Sequence, residues 1–285
     1  MSSKKPSAPV IVLPWRRIIH YPKNHLNDFC IFRDREGIWH GIGIMGTGTW
    51  DSERSLFHSS SPSLDEIFEN HAPLFEENPA DGLAPQKHAP FVVEHRGTYH
   101  LFYRRPIGTI MVVRTNDPWQ WDGLGEMVFQ ERDARDVCIL EHEGQFLIYY
   151  CQSAEVNGRL HACIMVRTSA DLAAWSEARI AHYDDHEPAT HSFLESPFVV
   201  KRPEGFYLFI CHRRIGCRIT VVLFSENPFQ FPTGREGWLT VLAPAHAPEI
   251  VEDRGKFYIA AVSGPVGDGY PQDGGWVEMA ELKWK

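Results

Sequence analysis

The sequence predicts an all-β fold, a five-bladed β-propeller in which four-stranded antiparallel blades surround a central funnel. Three observations carry this prediction. One hairpin pattern recurs five times along the chain. Most recurrences are followed by a further strand and a polar turn that ends in an aromatic. Outside "LDEIFEN" and "ADLAAW" no sustained 3.6-residue period competes with the strand-like runs.

The hairpins are "NDFCIFRDREGIWHGIGI" from Asn27, "HAPFVVEHRGTYHLFYRR" from His88, "RDVCILEHEGQFLIYYC" from Arg135, "ESPFVVKRPEGFYLFICHRR" from Glu195 and "HAPEIVEDRGKFYIAAV" from His246. Runs such as "FVV" and "YLFI" are β-branched and aromatic, as strands prefer. The turns "EHRG", "EHEG" and "EDRG" put Gly where a tight hairpin needs positive φ. The near-continuous apolarity expects strands covered on both faces. After the second, third and fourth hairpins come "VVRTNDPWQW", "MVRTSADLAAW" and "VLFSENPFQF", with "LFHSSSPSLDEIF" a looser version after the first. Each unit therefore holds about four strands, the signature of a propeller blade. The last unit ends in "GWVEMAELKWK", one clear outer strand, and "APVIVLPW" near the N-terminus is the candidate for the missing closing strand. One domain over residues 1–285 is expected, with residues 1–9 a flexible tail.

Equivalent positions on the inner strands of a propeller converge on one axis. Aligned on their Gly turns, the hairpins place Asp28, Ala89, Asp136, Ser196 and Ala247 at one position, and Asn27, His88, Arg135, Glu195 and His246 just before it. Three carboxylates, two His, an Arg and an Asn would share one space. A lone Asp before a strand is usually a turn or cap residue; three acids at matched repeat positions are a set. Glycosidic-bond hydrolysis needs such a set, one carboxyl group to protonate the leaving oxygen and another to act at the anomeric carbon or on water. Crowding raises the pKa of at least one of them. Arg135 would help keep Asp136 ionised if their side chains met, although strand neighbours point to opposite faces.

The motifs "LNDF", "RDVC" and "LESP" resemble those of the five-bladed propeller glycoside hydrolases, the family 43 arabinanase and β-xylosidase group and its invertase-like relatives. The resemblance covers essentially the whole chain, including the outer turn "TSADLAAW". It implies Asp28 as catalytic base or nucleophile, Asp136 as stabiliser of the transition state and of acid orientation, and Glu195 as general acid. Phe29 and Val137 stand where the family carries Pro. "HLNDF" leans to the invertase-like pattern and "ESP" to family 43, so retention and inversion both stay open. Members sometimes hold an axial Ca²⁺ near a His, so the resemblance allows a structural Ca²⁺ on the axis; the acid/base chemistry requires no cofactor.

The second strands of the hairpins exit at the same face. Their exits carry Arg104–Arg105 and Arg213–Arg214, fork donors suited to sugar hydroxyls, carboxylates or phosphates. The simpler reading pairs them with the funnel acids or outer loops; the sharper one is an anionic or phosphorylated sugar. Asn27, His88, Arg135, His246 and Trp50 complete the expected substrate-binding set, and Trp15 and Trp276 are further candidates for sugar stacking, although most of the nine Trp should be core. The segment "HYDDHEPATH" from His182 reads as a solvated rim loop, with a metal-binding lid as the alternative.

Composition excludes other classes. The formal net charge of −9 with no long basic run argues against a nucleic-acid partner. No apolar run approaches the roughly 18–20 residues of a membrane span. "MSSKKPSAPV" lacks the apolar core of a secretion signal, so a cytoplasmic protein acting on a small imported oligosaccharide, in exo fashion, is expected. The six Cys form no CxxC pair and read as packed free thiols; no metal ligand set is expected. The leading function is a glycoside hydrolase on an arabinoside, xyloside or fructoside. A phosphorylase holding phosphate on the Arg pairs and a non-catalytic sugar-binding propeller are the alternatives.

Overall fold

The computed structural model describes residues 6–47, 52–75, 87–185, 193–263 and 274–285. Its strands form five antiparallel sheets of four, arranged as propeller blades. Blade one is β2 (His25–Arg33), β3 (Trp39–Gly46), β4 (Ser55–Ser61) and β5 (Glu69–Asn70). Blade two is β6 (His88–His95), β7 (Thr98–Arg105), β8 (Thr109–Thr115) and β9 (Glu126–Gln130). Blade three is β10 (Arg135–His142), β11 (Gln145–Val156), β12 (Arg159–Ser169) and β13 (Arg179–Tyr183). Blade four is β14 (Leu194–Arg202), β15 (Gly205–His212), β16 (Thr220–Ser225) and β17 (Trp238–Leu242). Blade five joins β18 (Glu249–Asp253), β19 (Lys256–Ser263) and β20 (Gly275–Trp284) to β1 (Pro9–Tyr21). No α-helix occurs among the described residues: "LDEIFEN" is a turn that runs into β5, and "ADLAAW" is a turn.

The ring closes as "APVIVLPW" suggests. β1 lies antiparallel to β20 from Pro9 opposite Trp284 to Tyr21 opposite Gly275. Ala8 and Lys285 exchange both backbone hydrogen bonds, at 2.8 and 2.9 Å. This corrects the expected tail of residues 1–9: Ala8 and Pro9 are already part of the sheet, because the edge of β20 offers them paired donors and acceptors. Residues 1–5 lie outside the described residues.

Blade-to-blade packing explains the continuous apolar runs. Five buried clusters fill the seams between neighbouring blades. Along β15, Phe206, Leu208 and Ile210 enter the seam with blade three, while Tyr207 and Phe209 enter the seam with blade five. Period-two alternation thus presents an apolar side chain to each face, and neither face is left for polar residues.

The turns repeat as well. Arg96–Gly97, Glu143–Gly144 and Arg254–Gly255 all have positive φ, the two-residue hairpin geometry that matches strand twist. At the end of the third strand Ser61, Thr115, Ser169 and Ser225 each accept the N–H two residues on, at 3.0–3.2 Å. The side chains of Ser63, Asp117, Asp171 and Asn227 then accept the next N–H but one, at 2.9–3.1 Å. These short polar side chains replace ladder bonds where the strand stops. The aromatics that follow, Phe68, Trp121, Trp175 and Phe231, pack into the seam with the preceding blade.

Blade one buries a histidine stack on its outer side. His40 Nε2 lies 3.2 Å from Asp34 Oδ2, and His40 Nδ1 lies 2.9 Å from His58 Nε2. The two rings stack at 5.2 Å, and Trp119 stands edge-on to His40 and His71 and tilted against His58. One proton order satisfies this chain: His40 donates to Asp34 and accepts from His58. Burial, then the neighbouring His40, pull His58 down to about 3. Folded protein therefore keeps His58 neutral where the unfolded chain, titrating near pH 6.5, takes up a proton. The stability this contributes is present above about pH 6.5 and lost as pH falls toward 3, by up to about 1.4 kcal/mol per pH unit. His58→Phe should unfold at lower temperature than the parent at pH 7, and the gap should narrow on acidification to pH 4. Thermal melts across this range decide it; parallel curves would contradict the account.

Candidate active site

The inner strands β2, β6, β10 and β14 share a β-bulge at the funnel end. His88 pairs with Arg104 and Phe91 with Phe102, so two residues of β6 oppose one of β7. The same count holds between Arg135 and Cys138, between Glu195 and Phe198, and between Leu26 and Phe29. Blade five follows it, since Val262 N donates to His246 O at 3.1 Å before Glu249 pairs with Ala260. In blades two to five the first bulged residue is left-handed: Ala89 (φ 45°), Asp136 (56°), Ser196 (49°) and Ala247 (48°). Such a residue breaks the alternation of the strand and re-aims its neighbours. Hence Arg135 and Asp136 do meet, Nε to Oδ2 at 3.6 Å, which ordinary strand geometry forbids.

Register corrects the sequence alignment in blade one. Leu26, not Asn27, takes the pairing position of His88, Arg135 and Glu195. Asn27 thus matches Asp136, and Asp28 stands where blades two, four and five have Pro90, Pro197 and Pro248. The alignment slips because the β2–β3 turn spans five residues, 34–38, against two in blade two. Neither Asn27 nor Asp28 has positive φ among the residues so recorded, so this bulge differs in shape and sends Asp28 to the centre.

Asp28, Asp136 and Ser196 meet on the axis. Ser196 Oγ donates to Asp28 Oδ1 at 2.7 Å, and Ser196 N donates to Asp136 Oδ2 at 3.2 Å. Asp28 keeps some solvent contact at the funnel floor but is otherwise surrounded by protein. Burial first, then the charges of Asp136, Glu195 and Glu53, hold its carboxyl well above the usual range, opposed by the Ser196 hydrogen bond. Arg135 Nη2 donates to Leu194 O at 2.9 Å, tying blade three to the strand that carries Glu195. Glu195 Oε1 accepts from Arg213 Nη1 at 3.1 Å.

The remaining expected residues divide. His88 is buried; burial lowers its pKa against the pull of Glu53, and Arg104 Nη1 lies 3.3 Å from its Nδ1. Arg105, one step along β7, is buried on the opposite face of the strand. Arg213 faces Glu195, whereas Arg214 binds Asp184 at 2.7 Å and lies over the Phe193 ring. Each Arg pair therefore splits. His246 Nδ1 donates to Cys217 O at 2.7 Å. Trp15 packs against the blade four–five seam, and Arg17 covers the face of Trp276 at 4.2 Å, so neither is an open stacking platform. Trp50 lies outside the described residues. In "HYDDHEPATH", His182 and Tyr183 belong to β13, with His182 buried and pulled to about 4 by burial, so this part is not a solvated loop; residues 186–192 lie outside the described residues.

Three residues escaped the sequence reading. Ser196 was visible inside "ESP" but has no charge to draw attention. Glu53 lies on the β3–β4 connection, outside any repeat position, and is 1% exposed. Glu249 stands one pairing step below the bulge, where the other blades have Phe29, Phe91, Cys138 and Phe198. The rings of Phe91 and Phe198 approach to 6.2 Å from non-adjacent blades, so this layer crosses the axis. Burial, with a smaller contribution from the charge of Asp28, holds Glu249 well above the usual carboxylate range. A calcium ion wants six to eight oxygens. A single carboxyl among aromatic rings and a thiol does not suit it, and among the described residues no group of three His, Cys, Asp or Glu is arranged to hold a metal.

No protein-family model and no curated protein matches the chain. Solved structures do. A family 43 β-xylosidase/α-arabinofuranosidase from a compost microbial metagenome, solved with xylotriose in a calcium-free form, has TM-score 0.71 and 14% identity over 97% of this chain and 96% of that one. A GH43_1 enzyme from Xanthomonas citri has TM-score 0.68 and 15% identity over 94% and 90%. The family 32 β-fructofuranosidase BmSUC1 of Bombyx mori has TM-score 0.72 and 15% identity over 95% of this chain and 62% of that one. At such identity the likeness establishes the fold, a five-bladed propeller shared with glycoside hydrolases of both families.

Ser196→Ala tests the geometry directly. Ala occupies the same left-handed position in blades two and five, so the fold should tolerate it. Loss of the hydroxyl removes what lowers the Asp28 pKa, and carboxyl-carbon NMR should show Asp28 titrating at still higher pH. An unchanged or lower midpoint would refute the hydrogen bond's role.

Proposed function

We propose that this protein is a glycoside hydrolase that cleaves a glycosidic bond in an oligosaccharide, of arabinoside, xyloside or fructoside type, by carboxylate acid/base catalysis. The observation that carries the proposal is the meeting of Asp28, Asp136 and Glu195, from three different blades, around Ser196 at the mouth of the axis. Support also comes from the solved neighbours, which include a β-xylosidase/α-arabinofuranosidase, an exo-1,5-α-L-arabinanase and a β-fructofuranosidase.

Each carboxyl group has a distinct part in this reading. Glu195 gives a proton to the leaving-group oxygen as the glycosidic bond breaks. Asp28 acts on the other side, either removing a proton from an attacking water or bonding to the anomeric carbon and being displaced by water in a second step. Asp136, fixed by Arg135 and the Ser196 N–H, holds negative charge beside the oxocarbenium-like centre. Arg213 occupies Glu195 Oε1, so proton delivery uses Oε2 or follows release of Arg213. Asp28 works only after losing its proton. Its raised pKa therefore places the acid limb of the pH–rate profile above the ordinary carboxylate range. The split Arg pairs lend the phosphorylase alternative no support.

Asp28→Asn and Glu195→Gln should each lower kcat on an activated aryl glycoside or natural oligosaccharide by roughly 10²–10⁴-fold. The two losses should differ in kind. Glu195→Gln should recover on a dinitrophenyl glycoside, whose leaving group needs no proton, while Asp28→Asn should not. NMR of the first-formed product anomer distinguishes base from nucleophile. Near-parental rates in either variant would remove the assignment.

A further inference from the structure

We infer that Glu53 is a positioning residue of this site: from the β3–β4 connection its carboxylate fixes Asn27 beside Asp28, while its backbone oxygen, through His88, orients Arg104 toward the acidic centre. The inference rests on the hydrolase reading for its kinetic consequence, though not for its geometry.

Glu53 reaches into the wall between blades one and two. Its Oε1 accepts from His25 Nε2 at 3.1 Å and from Asn27 Nδ2 at 3.2 Å. Both donors lie on β2, within three residues of Asp28. Its backbone oxygen lies 3.2 Å from His88 Nε2, and its Oε2 lies 3.6 Å from the same nitrogen. His88 Nε2 therefore carries the proton, which leaves Nδ1 as the lone pair facing Arg104 Nη1 at 3.3 Å. Arg104 in turn feels the charges of Asp136, Asp133 and Asp28. The carboxylate of this one residue thus holds the His25 ring and the Asn27 amide, and its backbone oxygen sets the His88 tautomer that faces the Arg104 guanidinium.

A purely structural network would close its hydrogen bonds. This one does not. Glu53 Oε2, Asn27 Oδ1 and Arg104 Nε are buried without a hydrogen-bond partner among the described residues. Unpaired buried polar atoms are costly and mark places where function outweighs stability. Three of them lie along one chain of contacts beside Asp28. The charges facing Asp28 are Glu53 from the β3–β4 connection, Asp136 from β10 and Glu195 from β14, with Arg104 on β7 opposing and Glu249 beneath; Arg135 on β10 acts on Asp136 and Glu195.

The test compares the full chain with Glu53→Gln and Glu53→Asp. A misplacement of about 1 Å from a change away from the chemistry can cost on the order of 10²-fold. Glu53→Gln should lower kcat by about tenfold or more, with KM changed less than kcat. It should also move the acid limb of kcat/KM to lower pH, because a negative charge near Asp28 is gone. Glu53→Asp, which keeps the charge, should keep the acid limb near its parental position and recover part of the rate; it also serves if the Gln variant does not fold. Carboxyl NMR of Asp28 in the same proteins gives a readout free of activity: its midpoint should fall in Glu53→Gln and stay in Glu53→Asp. Lower thermal stability with unchanged kcat, pH profile and Asp28 titration would overturn the proposal. Should the parent hydrolyse no glycoside, the hydrolase reading fails alone, and the NMR comparison still decides the part of Glu53.

Discussion

A single backbone device organises the molecule, the bulge that opens each inner strand. A regular strand would send successive side chains to opposite seams, and both seams are filled with apolar residues. No polar group could then face the axis except at the cost of burial among hydrocarbon. The extra residue, left-handed in four blades, ends the alternation just before the strand enters the core. Above the bulge the chain is free to present Asp28, Asp136, Glu195 and their partners to one another. Below it, Phe29, Phe91 and Phe198 seal the axis. The site and the core are thus separated by one residue per blade.

Crowding acids at that boundary has an electrostatic cost, and the fold distributes it unevenly. Asp136 has Arg135 and the Ser196 N–H. Glu195 has Arg213. Asp28 receives only a hydroxyl, and its carboxyl holds its proton to higher pH. Different partners thus give chemically similar groups different environments within one site. Neutral His88 and His58 follow the same logic farther out, where burial disfavours the charged ring.

Much of this was legible in the sequence because repetition amplifies weak signals. A single "FVVEHRG" is an ordinary hairpin; five versions, most followed by a Ser or Thr turn, define blades and their order. The aromatic after each turn was visible, and its docking into the preceding seam follows from the same periodicity. Blade one resisted. Its longer β2–β3 turn hid a one-residue slip, so Asp28 was matched to Asp136 when Asn27 holds that register. Glu53 was invisible for a deeper reason. It belongs to a connection rather than a repeat, and only tertiary packing brings it between His25 and His88. Sequence adjacency says nothing of direction for the Arg pairs: Arg213 faces Glu195, while Arg214, beyond the end of β15, binds Asp184.

The pairing of β1 with β20 carries a consequence for the order of assembly. β1 is made before the strands of blades one to four, yet its hydrogen-bonding edge finds its partner only when β20 has been made. Blades one to four are built from consecutive strands and gain their contacts locally, whereas blade five requires β1 and β20, far apart in sequence, to meet. The entropy of that long closure is met last, and until then an apolar strand with open backbone groups is available to other chains. Cotranslational aggregation, rather than loss of the finished ring, is the vulnerability this topology creates.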